Sequence, residues 1–257
     1  MLILNKNILT IGGNRLEGGP LTPPKPPLPP IEANTVRVRT NDGNVPYKHQ
    51  YATYQTATLV QGTTDIYDVY KSGTSLNELL YKSTNVVELL GVNTTGITNM
   101  EQMFDGCTSL TSVSLFDTSN VTNMNNMFYS CTSLTSVPLF DTSNASDMGG
   151  MFSGCTSLTS VPLFDTSNVT DMSYMFSLCN SITIVPLFNT SKVTNMSGMF
   201  SLCRNVQSGA LALYQQASTQ TNPPSKHGDT FYNCGIFTTT GAAELAQIPS
   251  SWGGTGA

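Results

Sequence analysis

Apolar side chains recur along most of this chain in a motif that repeats every 24 residues. Met103, Met127, Met151, Met175 and Met199 mark it. Phe104, Phe128, Phe152, Phe176 and Phe200 follow one residue later, and Cys107, Cys131, Cys155, Cys179 and Cys203 close it. A fixed period of this length signals a stack of small units, none of which buries its apolar face until a neighbour covers it. Two local periods share each unit. Ile97, Met100, Met103, Phe104 and Cys107 are spaced 3-3-1-3, which predicts an amphipathic helix of about three turns. Thr98 is placed to cap it and Glu101 to complete a capping box, with Thr122, Ser146, Thr170 and Thr194 as later caps. Leu110, Val113 and Leu115 follow at a different, 3-2 spacing, which is read as a short strand. Asp117, Asp141, Asp165 and Asn189 follow, suited to accept backbone N–H groups in the return turn.

The flanks depart from this pattern. Leu76, Leu79 and Leu80 align with Met100, Met103 and Phe104, so residues 73–96 are a degenerate leading unit. Cys234 lies 31 residues after Cys203, which implies an insertion of 7 around Asn222-Pro223-Pro224. Val36 and Val38 alternate with Arg37 and Arg39 before an Asn41-Asp42-Gly43 turn and a run rich in Thr, Val and Tyr, which predicts β-strands. Residues 1–16 read as a short apolar strand pair turning at Gly12–Gly13, and the proline-rich stretch 18–30 as an extended spacer. Ala242, Ala243, Leu245, Ala246 and Ile248 predict a short closing helix ahead of Pro249. The expected organisation is an N-terminal anchoring arm at 1–16, a linker at 17–32, a β capping unit at 33–72, the repeats at 73–237 and a C-terminal cap at 238–257.

Composition narrows the chemistry. Charged residues are 11% and the formal charge is −5, and no basic cluster exists to hold phosphates, which argues against a nucleic-acid partner. No run approaches the length of a membrane span. The N-terminus lacks a basic region ahead of its apolar residues, so no cleaved export signal is expected and the mature protein should keep Leu2 onward. Six cysteines would suit three disulfides, but five occupy equivalent positions and are better read as buried free thiols filling the interior. His49 and His227 stand apart from any cysteine pair, so no zinc site is expected. The methionine columns read as core packing. Asn99, Asn123, Asp147, Asp171 and Asn195 offer only one carboxylate or amide per coil, which favours helix-start capping over calcium. Acids lie in repeat turns or alone, and no nucleophile elbow or phosphate loop is present. No catalytic residue, cofactor or metal is expected.

The unit FDTSNVTNMNNMFYSCTSLTSVPL resembles the repeats of bacterial surface leucine-rich repeat proteins of the BspA/Mycoplasma type, with their Asn-Val-Thr-x-Met-x-x-Met-Phe-x-x-Cys hallmark, over residues 73–237. The resemblance implies an α/β solenoid: a leucine-rich-repeat stack with 24-residue coils, a short parallel strand plus a helix in each, preceded by the small β-unit and the extended arm. It implies binding rather than turnover, since the family is found in adhesins and phage structural proteins. The full layout also resembles phage virion accessory proteins. The expectation is a non-enzymatic fibre or decoration subunit located on the virion. Its arm would meet other virion proteins and its repeats a bacterial surface glycan or protein, without nucleic acid or membrane insertion and with homo-oligomerisation open. A bacterial surface adhesin and a purely structural virion subunit are the alternatives.

If Val113 and Leu115 point inward, alternation turns residues 112, 114 and 116 outward. Stacking then builds a candidate binding face of three columns: Ser112, Ser136, Ser160 and Ile184; Ser114, Pro138, Pro162 and Pro186; Phe116, Phe140, Phe164 and Phe188. Two readings of the phenylalanines stay open, an exposed apolar stripe or rings folded under the turn to finish the core.

Overall fold

A computed structural model of the chain describes residues 27–256, together with the backbone of 4–5, 8–11 and 14–17. The chain divides into two compact units, Met1–Pro30 and Ile31–Ala257. In the first, β1 (Leu4–Asn5), β2 (Ile8–Ile11) and β3 (Asn14–Glu17) form an antiparallel meander in which Leu9 pairs with Leu4 and Leu16. This is one strand more than the expected pair. The expected turn at Gly12–Gly13 and the proline spacer over 18–26 lie outside the described residues.

The second unit opens with β4 (Thr35–Thr40), β5 (Thr56–Leu59) and β6 (Ile66–Tyr70), then β7 (Val86–Val92) and β8 (Ser112–Val113). They form one sheet in the order β5-β6-β4-β7-β8, antiparallel except where β7 meets β8. Val36 and Val38 are fully buried, as their alternation predicts. Arg37 is buried too, because its guanidinium holds both carboxylate oxygens of Asp68, at 2.6 and 2.7 Å. The strands before the repeats thus share a sheet with the strand of the leading unit.

The α/β leucine-rich-repeat solenoid does not form. The fold is a small mixed sheet with two short helices, α1 (Ala210–Thr219) and α2 (Thr239–Leu245), and neither lies within a 24-residue motif. Where a helix was expected over 97–107, the chain makes consecutive turns. Met103 N–H donates to Met100 O and Cys107 N–H to Phe104 O, at 3.2 and 3.1 Å. Between them, the N–H groups of Met100, Gln102, Phe104 and Gly106 donate to carbonyls 23 residues on, at Asn123, Asn125, Met127 and Tyr129, over 2.8–2.9 Å. An α-helix would direct those donors back along its own axis. Gln102 and Gly106 sit at φ 52° and 70°, a left-handed conformation that breaks any right-handed helix. Asn126 and Ser130, and Tyr174 and Leu178, repeat the pair in later coils.

The expected strand is lost for a different reason. Ser114 N–H donates to Leu89 O at 2.9 Å beside β8. Pro138, Pro162 and Pro186 hold that place in the following coils and have no N–H to give. Thr98 does not cap either. Asn99 Oδ1 accepts Glu101 N–H at 2.8 Å, and Asn123, Asp147, Asp171 and Asn195 do the same for the residue two places on, at 2.8–3.1 Å. The column expected at helix starts therefore builds turns, and its members also join coil to coil as parallel bridges.

Aromatic stacking fills the interior. Phe104, Phe128, Phe152, Phe176, Phe200 and Phe231 stack face to face, with centroid spacings of 5.1–6.3 Å and interplanar angles of 14° or less. Both methionine columns, 100 to 196 and 103 to 199, are fully buried around them. At the C-terminal end α2 forms where a closing helix was expected, and the indole of Trp252 stacks on His227 at 4.2 Å. Helix α1 begins before the expected insertion at Asn222, on residues that carried no helical signal in the repeat register.

Candidate recognition surface

Buried positions after the turns recur every third residue: Leu134, Val137 and Phe140 in one coil, Ile182, Val185 and Phe188 in another. A period of three replaces the strand period of two and decides which columns meet solvent. Phe116, Phe140, Phe164 and Phe188 are core, none more than 7% exposed. Phe140 packs 6.2 Å from Phe128, and Phe188 lies 5.9 Å from Phe176. The exposed phenylalanine stripe is therefore ruled out. A ring buries more apolar area than a leucine and extends the existing stack, so it takes the inward place.

The leucines beside them are displaced outward. Leu115, Leu139, Leu163 and Leu187 are 66, 59, 64 and 53% exposed, the reverse of the inward position expected for Leu115. Ser112, Ser136 and Ser160 are exposed, and Ile184 extends their column. Ser114, Pro138, Pro162 and Pro186 lie half-buried between these columns. Ser114 Oγ is already engaged, donating to Leu89 O at 2.6 Å. The assembled face is a serine column and a leucine column separated by a rigid proline seam.

An acidic border runs beside the leucines. Asp117, Asp141 and Asp165 are exposed, and each accepts the N–H of the serine two residues on, at 2.9–3.0 Å, as the return-turn expectation required. Asn189 does the same for Ser191 at 3.0 Å. The hydroxyl and N–H of Ser119 hold the Asp117 carboxyl below its ordinary range, and Ser167 does so for Asp165. All three carboxylates are committed to turn building.

The cysteine column is interior and unpaired. All six thiols are free and buried. Cys107, Cys131, Cys155, Cys179 and Cys203 each donate to a carbonyl 27 residues back, at 2.9–3.1 Å. Burial pushes Cys155 and Cys203 up to about 12, which removes the thiolate that nucleophilic or metal chemistry needs. Among the described residues no group of three or more His, Cys, Asp or Glu is placed to hold a metal ion, and no helix is long and apolar enough to cross a membrane.

A family model described as "Mycoplasma protein of unknown function, DUF285" matches residues 74–184 and 159–223. Together the matches span more than half of the chain. The chain belongs to this family. The match begins within the degenerate leading unit and supports the Mycoplasma-type side of the resemblance, while it carries nothing about a phage layout. Neither comparison with curated proteins nor comparison with solved structures yields a match.

Proposed function

We propose that this family member is a non-enzymatic recognition subunit, carried on a phage particle as a fibre or decoration protein, that contacts a bacterial surface through its repeating face. The observation that carries the reading is the leucine column. Four large apolar side chains more than half exposed, at one place in successive coils, form a strip that a monomeric surface rarely leaves uncovered. The proline seam fixes the strip's backbone, so little ordering entropy opposes binding. The acidic border at Asp117, Asp141 and Asp165 favours a contact with basic groups at its rim. A strip with one contact per coil suits an extended or repetitive partner, because linked weak contacts gain through effective concentration.

Attachment of purified protein to bacterial cells tests this. Leu139→Asp with Leu163→Asp should lower attachment at least tenfold with the melting temperature held within a few degrees, since both side chains are solvent-exposed. Unchanged attachment would remove the leucine strip as the contact. The virion part of the reading rests on the arm. Deleting residues 1–30, a compact unit by itself, should abolish incorporation into particles and leave cell attachment intact.

A further inference from the structure

The outward positions in the turn segment of the third coil carry almost no side chain. Where the preceding coil carries Asn125, Asn126 and Tyr129, this coil carries Gly149, Gly150 and Ser153. The missing volume is a groove of about 460 Å³. Tyr129 bounds it on the coil before and Tyr174 on the coil after, 40 and 54% exposed. The adjoining steps of the Phe stack measure 5.7 and 5.6 Å, so the two walls stand two such steps apart.

Two largely buried serines line the groove. Ser153 and Ser177 are only 5 and 8% exposed, yet neither hydroxyl has a hydrogen-bond partner among the described residues. Neither hydroxyl is committed within the protein, so a ligand that supplies donors and acceptors can engage both. The lining contains no charged side chain, and the nearest carboxylates are engaged: Asp147 accepts from Gly149 N–H and Asp171 from Ser173, each at 2.8 Å. That selects against ions and for a neutral polyhydroxylated ligand.

We propose that this groove is a binding site for a neutral oligosaccharide, with a sugar ring laid against Tyr174 or Tyr129 and its hydroxyls bonded to Ser153 and Ser177. An aromatic ring offers an apolar face to the C–H side of a pyranose, and the volume suits a segment of roughly two hexose units. This deepens the recognition reading by naming a ligand class, at a segment of the coil separate from the leucine strip. The opening depends on the glycines, because a Cβ at Gly150 would run into Asn126 Oδ1 and one at Gly149 would lie 2.9 Å from Asn125 Nδ2.

Maltotriose, cellotriose and triacetylchitotriose, each titrated into the full-length protein by calorimetry with saturation-transfer NMR, test the assignment. At least one should bind. Tyr174→Ala should weaken that binding at least tenfold. So should Gly150→Asn, which places in the groove the residue that the preceding coil already holds at φ 52°. The Leu139→Asp/Leu163→Asp protein should bind the sugar normally. No binding by any of the three, or binding unchanged in both groove variants, overturns the site. Binding of a ten-residue polyproline peptide, lost with Tyr174→Ala while the sugars stay inert, overturns the ligand class. Loss of the sugar site with cell attachment retained leaves the recognition reading standing.

Discussion

The thiol of Cys155 donates to the carbonyl oxygen of Phe128, 3.0 Å away and 27 residues earlier in the chain. A side chain of one coil thus satisfies the backbone of the preceding one, and the same bond recurs at five of the six cysteines. The column is a fastening between coils as well as apolar filler.

Thiol chemistry should report this directly. Native protein should label slowly at all six cysteines and completely on denaturation, with a mass that shows no disulfide. Cys155→Ser keeps a donor for Phe128 O but adds the cost of burying a hydroxyl, so stability should fall by about 1–2 kcal/mol. Rapid native labelling would place the column at the surface.

The second phenylalanine column gives a separate test. Phe140→Ser or Phe164→Ser alone should lower stability by about 3 kcal/mol or more, the loss expected on truncating a buried ring. Either variant that melted like the parent would return the ring to solvent. The exposed Leu163→Ser serves as the control and should change the melt little.

How far the sequence carried the argument depended on which group made each hydrogen bond. The 24-residue period located the methionines, phenylalanines and cysteines in the core, because burial follows side-chain chemistry, which the sequence displays. It also placed the Asp117 column in turns. The spacing at Ile97, Met100, Met103 and Phe104 misled, because three-residue intervals on a stack of turns imitate a helical face. The positive φ at Gln102, Tyr174 and Leu178 left no trace in residue type. Among the site columns, Ser112 and its equivalents are exposed as alternation had them, Leu115 turns outward instead of inward, and the phenylalanines follow the core reading of the two left open. The signal available was Pro138, Pro162 and Pro186, each between an inward valine and the leucine, since a residue without N–H disfavours the strand on which alternation rests. The groove at Gly149 and Gly150 appears only when neighbouring coils are laid side by side.

Asp105 gives the pH test. Burial raises its carboxyl to about 6, opposed by the charge of Lys82 and aided by that of Glu78. Its folded value lies above that of an unfolded aspartate, so its contribution is complete below about pH 4 and is lost as pH rises through about 6. Asp105→Asn should therefore raise the melting temperature at pH 7, with a gain that shrinks towards pH 4.5. An equal difference at both values would show that the carboxyl titrates as if exposed.

Gln102→Gly separates the two architectures by sign. In a helix interior, glycine costs up to about 1 kcal/mol. In the turn observed, Gln102 holds φ 52°, at the place where Gly150 and Gly198 sit at 61° and 63° in later coils. A left-handed non-glycine residue costs roughly 1–2 kcal/mol, and glycine removes that strain while adding part of it back as unfolded-chain entropy. The variant should therefore be more stable by roughly 0.5–1 kcal/mol in urea unfolding, with an unchanged m-value. A loss of stability would mean that this segment is helical after all, and the stacked turns would have to be abandoned along with the groove they create.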